Sequence, residues 1–308
     1  MKPAIISMLQ GTFDSYWRDL ETGVRTAETR LNTQVDFLSF PGEIPSEKNI
    51  TQWQNQTLER FSAEKNRNAV AVAPLNHSET TPFIKKLVAS GAACITFDTD
   101  APDSGRHFFV GTNNHLAGSS CAYKTAQLID FKGKVAIHTP TLLTHSCAER
   151  IRGFSETLKR YDAIQLVKTE TGEENPDKLF ESAKRCIAHH QDLSALFAVS
   201  GTSAKACARA ILDSHLSDKI LLVCFDIDAE IAASLMNGSI FMTTAQRPHT
   251  IGYRVTDYLY RIEKTGLDNV MRTIPPSRLV DTGTRIVTLK TLDSYRESLK
   301  GLGIPIDF

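Results

Sequence analysis

Two aspartates stand two residues apart after each of two apolar runs: Asp98 and Asp100 follow ACITF, and Asp226 and Asp228 follow LLVCF. A carboxylate at the end of a buried strand is costly unless something pairs with it or hydrogen-bonds to it. Other polar groups follow the remaining apolar runs. Gln10, Asp14, Tyr16 and Trp17 come after AIISML, and Arg150 lies on the segment after KVAIH. Asn175 (with Glu173 before it) follows the run ending at Thr171, Ser200 follows ALFAV, and Gln246 with Arg247 follows FMTTA. Aromatic side chains, carboxylates, an amide and an arginine form a set suited to a sugar. Its C–H faces pack on aromatic rings, and its hydroxyls need both donors and acceptors. Carboxylates take hydroxyl protons and arginine donates in a fork.

Competing local readings apply to some of these residues. Asp100 before Ala-Pro reads equally well as a turn former. Asp228 reads as the N-cap of the segment after it. Tyr16 and Trp17 are adjacent, so the two cannot both face one core.

The elements that must position these residues alternate along nearly the whole chain. Strands are expected at AIISML, VDFLSF, AVAVA, ACITF, KVAIH, IQLVKT, ALFAV, KILLVCF and FMTTA. Helices are expected over 16–31, 50–65, 82–90, 114–129, 147–161, 177–190, 203–212, 229–236 and 251–264. Near-continuous apolar strands alternating with helices predict parallel sheets covered on both faces. The number of units exceeds one doubly wound sheet, so two sheets of about five to six strands are expected. In such sheets ligands bind outside the carboxyl ends of the strands, where the polar groups above are found.

Bulk properties narrow the function. The 308 residues carry 35 Lys+Arg against 35 Asp+Glu, which leaves no basic footprint for nucleic acid. No run reaches the ~18 apolar residues of a membrane span. The dinucleotide fingerprint, the Walker loop, the metalloprotease motif and the hydrolase nucleophile elbow are all missing, and no metal-ligand spacing occurs. The expectation is therefore a binding protein with no catalytic residues, metal or cofactor. The six cysteines have no paired spacing and read as buried free thiols, which suit a reducing compartment. The chain enters an apolar run at once after MKP, so it is either cytoplasmic or lacks a leader it once had.

Taken together, these motifs resemble the type I periplasmic sugar-binding proteins of the ribose/galactose kind, whose fold the effector domains of LacI-type repressors share. ITFDTDAPDSGRHFFVGTNNHLAG is similar to the family's fourth strand and first crossover, SYWRDLETGV to its first helix, and AERIRGF to its arginine segment. LLVCFDID is similar to the aspartate strand, and MTTAQRPHTIGY to the hinge glutamine segment. The resemblance implies sugar contacts from Asp98, Arg150, Asp226 and Gln246 and an aromatic clamp from Tyr16 and Trp17. Ser200 and Gly201 stand where the family commonly has an asparagine–aspartate pair, and Asp14 replaces an asparagine.

The resemblance implies an α/β fold of two doubly wound parallel-sheet lobes joined by a three-crossover hinge, residues 1–112 plus 248–280 and residues 113–247 plus 281–308. It implies a monomeric, extracytoplasmic solute-binding protein that closes on a sugar or polyol and delivers it to an ABC-type permease. A sugar-responsive sensor domain is the alternative. The expected ligand contacts are Gln10, Asp14, Tyr16, Trp17, Asp98, Asp100, Arg150, Asn175, Ser200, Asp226 and Gln246.

Overall fold

A computed structural model describes residues 2–8, 15–41, 46–64, 68–172, 175–190, 192–304, 306 and 308. The chain divides into two compact units. Unit 1 comprises Met1–Asn113, Leu143–Ser146 and Arg247–Gly283, and unit 2 comprises Asn114–Leu142, Cys147–Gln246 and Thr284–Phe308.

Unit 1 begins with β1 (Ala4–Ile6), α1 (Ser15–Leu31), β2 (Asp36–Leu38), α2 (Glu47–Ala63), β3 (Ala69–Val72), α3 (His77–Ala89), β4 (Ala93–Phe97) and β5 (Phe109–Gly111). Unit 2 follows with α4 (Asn114–Leu128), β6 (Gly133–Thr139), α5 (His145–Leu158), β7 (Ile164–Thr171), α6 (Pro176–His189), β8 (Leu193–Ala198), α7 (Gly201–Asp213), β9 (Leu221–Phe225), α8 (Ala229–Met236) and β10 (Met242–Ala245). The chain then returns to unit 1 as α9 (Pro248–Thr265), α10 (Leu267–Met271) and β11 (Leu279–Asp281), and ends in unit 2 as β12 (Arg285–Thr288) and α11 (Leu292–Lys300).

Each unit is built on one six-stranded sheet, in the orders β11-β5-β4-β3-β1-β2 and β12-β10-β9-β8-β6-β7. All pairings in the first sheet are parallel. The second is parallel except for β12, which runs antiparallel to β10. The expected architecture of two helix-covered parallel sheets is what the chain adopts, with that one strand reversed. The strands are apolar throughout because both faces are covered. Ile5, Ala71, Ile95 and Phe97 enter the layer under α1 and α9, while Ala4, Ile6, Val70 and Val72 enter the layer with Leu58, Phe61, Ile84 and Leu87 of α2 and α3. Unit 2 alternates likewise, with Val135, Ile137, Phe197 and Phe225 on one face and Ala136, Leu196, Leu222 and Cys224 on the other.

One helix pair in each unit packs backbone to backbone. A Cβ at Gly23 of α1 would lie 2.0 Å from the His249 carbonyl oxygen, and one at Gly153 of α5 would lie 2.0 Å from that of His115. Only glycine permits that approach.

The helix expected at 82–90 starts earlier, at His77, because Asn76 caps it by accepting from the Glu79 N–H. Pro82 lies inside this helix, where it gives up its own bond to the preceding turn and crowds the carbonyl there. The short strands β11 and β12 were not anticipated; at three and four residues they are too brief to show a period.

Candidate ligand-binding site

In unit 1, β4 ends at Phe97 and the chain turns at Asp98. The Asp98 backbone has φ 61°, in the left-handed region that aspartate tolerates better than most residues. Its N–H donates to the Val110 carbonyl on β5 at 3.2 Å, and the Thr99 N–H returns to the Phe97 carbonyl at 2.6 Å, closing a three-residue turn with Asp98 at the apex. The Tyr16 hydroxyl, in the first turn of α1, donates to Asp98 Oδ1 at 2.5 Å.

The structure separates the two adjacent aromatics. Trp17 is only 5% exposed and joins the core under α1, its ring edge-on to Phe97 with centroids 6.4 Å apart. Tyr16 is half-buried and meets Trp17 edge-on at 5.6 Å.

Asp100 turns inward. Arg106 donates through Nε to Oδ1 at 2.7 Å and through Nη2 to Oδ2 at 2.5 Å, and both side chains are buried. The Thr96 hydroxyl and the Ala101 N–H also donate to Oδ1. The ligand contact expected of Asp100 thus competes with an internal role: the second aspartate is hydrogen-bonded within unit 1 and braces the loop after β4. Behind the same sheet edge, the buried Gln54 of α2 donates to the carbonyls of Ser7 and Ala73 and accepts from the Leu75 N–H, tying the ends of β1 and β3 together. Gln10 and Asp14 lie outside the described residues.

Unit 2 repeats the corner. β9 ends at Phe225, Asp226 has φ 68°, and its N–H donates to the Thr244 carbonyl on β10 at 3.1 Å. Its carboxylate accepts from the Gly201 N–H at 3.0 Å and from Gln246 Nε2 at 2.7 Å, while the Thr243 hydroxyl donates to its carbonyl. Arg150 of α5 is 3% exposed, and its guanidinium lies 4.3 Å from the centre of the Phe225 ring. It donates through Nε to Asn114 Oδ1 at 2.8 Å and through Nη1 to the Val199 carbonyl at 3.0 Å. A cation on an aromatic face, held by two further bonds, has one orientation available.

Three other residues are helix caps. Asn175 accepts from the N–H groups of Asp177 and Lys178 at the start of α6, and Ser200 from that of Ser203 at the start of α7. The expected ligand roles of Asn175 and Ser200 thus compete with capping. Asp228 caps α8 through the Ile231 N–H, as its position suggested, and pairs with Lys205 at 2.9 Å.

Sequence reasoning missed Arg106, Gln54 and Asn114. A repeated signal was available for the corners: FDTDA at Phe97–Ala101 and FDIDA at Phe225–Ala229 are the same element.

All six cysteines are buried and free. Burial pushes the thiols of Cys94 and Cys121 up to about 12 and that of Cys186 to about 11, so they pack as apolar groups. Among the described residues no cluster of histidine, cysteine, aspartate or glutamate could hold a metal ion, and no helix is long and apolar enough to cross a membrane.

Each doubly wound unit ends the third strand of its sheet in an oriented carboxylate, at the carboxyl edge where open α/β sheets take ligands. Residues 6–266 match the family described as periplasmic binding protein domain, and the chain belongs to that family. It is 24% identical over 283 residues to the D-allose-binding periplasmic protein of Escherichia coli (strain K12), covering 89% of each chain. Among solved structures, a sugar-binding protein of a sugar ABC transporter from Bacillus halodurans is 28% identical with a TM-score of 0.78, over 96% of this chain and 100% of the other. An ABC transporter solute-binding protein of Burkholderia graminis, solved with D-arabinose, shares the fold at 23% identity and a TM-score of 0.83, over 96% and 97% of the two chains.

Proposed function

We propose that this chain is an extracytoplasmic solute-binding protein that captures a monosaccharide or polyol and presents it to an ABC-type importer. The observation that carries the reading is the duplicated corner. Asp98 and Asp226 each stand in a left-handed backbone at the carboxyl end of a central strand, each with its carboxylate held by a donor from a neighbouring element. Such carboxylates accept ligand hydroxyls without first having to be ordered. In unit 1 the half-buried Tyr16 adds an aromatic surface beside Asp98. The names of the D-allose-binding relative and of the sugar-transporter structure support a sugar and an importer, and the first also supports a location outside the cytoplasm.

A thermal-shift and calorimetry screen tests this with D-allose, D-ribose, D-arabinose, D-galactose and their polyols. A ligand at 100 times its Kd stabilises the folded state by about 2.7 kcal/mol. At least one sugar is expected to raise the melting temperature by several degrees. A flat response across all of them, alongside a clear response to an amino acid or peptide, overturns the reading.

A further inference from the structure

We propose that the Tyr16 hydroxyl is a positioning residue for Asp98, and that through it unit 1 discriminates between sugars differing at a single hydroxyl. This rests on the proposed sugar-binding function.

The geometry is a closed circuit. Tyr16 stands edge-on to Trp17, Trp17 stands edge-on to Phe97, Phe97 leads directly into Asp98, and the Asp98 carboxylate accepts from the Tyr16 hydroxyl. Trp17 is locked in the core, so the ring before it and the carboxylate after Phe97 are referred to one rigid part of the molecule. A phenol donating to a carboxylate makes a charge-assisted bond, the strong and directional kind. The backbone at Asp98 is also fixed, by the Val110 and Phe97 carbonyls on either side. With the backbone fixed, the side chain keeps its two torsions, χ1 and χ2, and the bond from the phenol restrains both.

A ligand hydroxyl must then approach a carboxylate whose direction is already set, so an epimer with that hydroxyl pointing elsewhere loses the bond instead of recruiting a rotated carboxylate. Sites built to hydrogen-bond a particular hydroxyl discriminate most strongly against its absence. Phenylalanine at position 16 would keep the ring and lose the discrimination.

The test has two readouts. In the ligand-free protein, a slowly exchanging low-field hydroxyl proton is expected by NMR, and it should vanish in both Tyr16→Phe and Asp98→Gly. Glycine is chosen because it accepts the left-handed backbone without strain. In calorimetry with D-allose, D-ribose and D-arabinose, Tyr16→Phe is expected to weaken the best of the three about 10-fold and to narrow its preference over the others. In the Asp98→Gly background the same change should weaken it less than about 2-fold.

A full 10-fold loss in both backgrounds would show the phenol acting on sugar independently of Asp98, and an unchanged sugar ranking would show no discrimination; either overturns the inference. A hydroxyl proton that persists in Asp98→Gly overturns it without any sugar. If the wild type binds none of the three sugars, discrimination by unit 1 fails together with the sugar reading, while the proton signal still decides the Tyr16–Asp98 bond.

Discussion

FDTDA in unit 1 and FDIDA in unit 2 are one structural device carried out with two chemistries. In both, the aromatic residue packs in the sheet, the first aspartate takes a left-handed backbone, and its N–H crosses to the next strand. The first helix after each sheet's entry strand covers that aromatic: Trp17 of α1 meets Phe97 edge-on, and Arg150 of α5 lies over Phe225. The carboxylates are then held differently, Asp98 by the phenol of Tyr16 and Asp226 by the N–H groups of Gly201 and Gln246. The second aspartates diverge further. Asp100 is buried on Arg106, while Asp228 caps a helix and pairs with the partly exposed Lys205. The difference teaches that the backbone corner is the shared requirement, and that the groups around it are free to vary with the ligand.

The sharpest way to break this comparison is at the second aspartates. Arg106→Ala leaves a buried carboxylate without its cation and is expected to destabilise the protein by about 3–5 kcal/mol, read by urea denaturation. Lys205→Ala removes a partly exposed ion pair and should cost less than about 1 kcal/mol. Equal effects would mean that the two aspartates play the same part after all.

The first aspartates provide a smaller contrast, in sugar affinity. Asp98→Asn and Asp226→Asn should each weaken sugar binding by about 2 kcal/mol, the scale of a hydrogen bond to a charged group. Folding stability should separate them. The Tyr16 hydroxyl can reverse its role and accept from an asparagine amide, whereas the Gly201 N–H cannot turn and Gln246 can accept only by inverting its amide. Asp226→Asn is therefore expected to lower the unfolding free energy by about 1 kcal/mol more than Asp98→Asn. Matching denaturation curves would remove the distinction between phenol and amide support.

Much of this was legible in the sequence, and the gaps have physical causes. The strand ends could be located because a doubly covered parallel strand is apolar throughout, so a charged residue marks its limit; Asp98 and Asp226 were picked out that way, whereas Arg150 lies within a helix and its role was named from the resemblance. The inward turn of Asp100 was not legible, since it depends on Arg106 folding back across the short loop after β4. Nor did the residue types reveal which of Tyr16 and Trp17 enters the core, because a helix places neighbours about 100° apart and only the packing against Phe97 selects one. The Asn175 cap did leave a signal, an asparagine followed by proline at the first helical position. Gln54 left none, since a buried glutamine on a helix with polar neighbours has no distinguishing spacing.

A pH experiment separates the two cores. In unit 2 the β6 residue His138 is fully buried, its ring nitrogens 2.6 Å from the hydroxyl oxygens of Ser203 and Ser182. Burial lowers its pKa to about 4, while the unfolded chain titrates near the ordinary value of 6.5. The unfolded state therefore binds the proton first as pH falls. The stability from a neutral His138 is complete above about pH 6.5 and is lost progressively down to about pH 4. Between pH 7 and pH 5 this amounts to about 2 kcal/mol. His107 in unit 1 is shifted in the same direction by burial, without a comparable encasement. Urea denaturation at pH 7 and pH 5 should show the loss in the wild type and most of it removed in His138→Gln. An unchanged pH dependence in that variant would place the acid sensitivity elsewhere.

The smallest expected effect lies at two helix starts that occupy the same place in each sheet. α3 follows β3 and α7 follows β8, the fourth strands in their respective orders. Asn76 caps the first and Ser200 the second, each satisfying one N–H that the helix leaves unpaired. Losing a cap costs about 1 kcal/mol. The Asn76 amide additionally donates to the Glu79 carboxylate at 3.0 Å, whereas the Ser200 hydroxyl lies 3.1 Å from that of Thr202 and 3.4 Å from the N–H it caps. Asn76→Ala should therefore cost slightly more than Ser200→Ala, about 1 against about 0.5 kcal/mol by urea denaturation. Sugar affinity then decides what Ser200 is for. A serine acting only as a cap leaves the affinity of Ser200→Ala within about 2-fold of wild type, because the Gly201 N–H that holds Asp226 belongs to the backbone and survives the change. A loss of 10-fold or more in Ser200→Ala, with stability nearly unchanged, would make Ser200 a ligand contact and break the equivalence of the two helix starts.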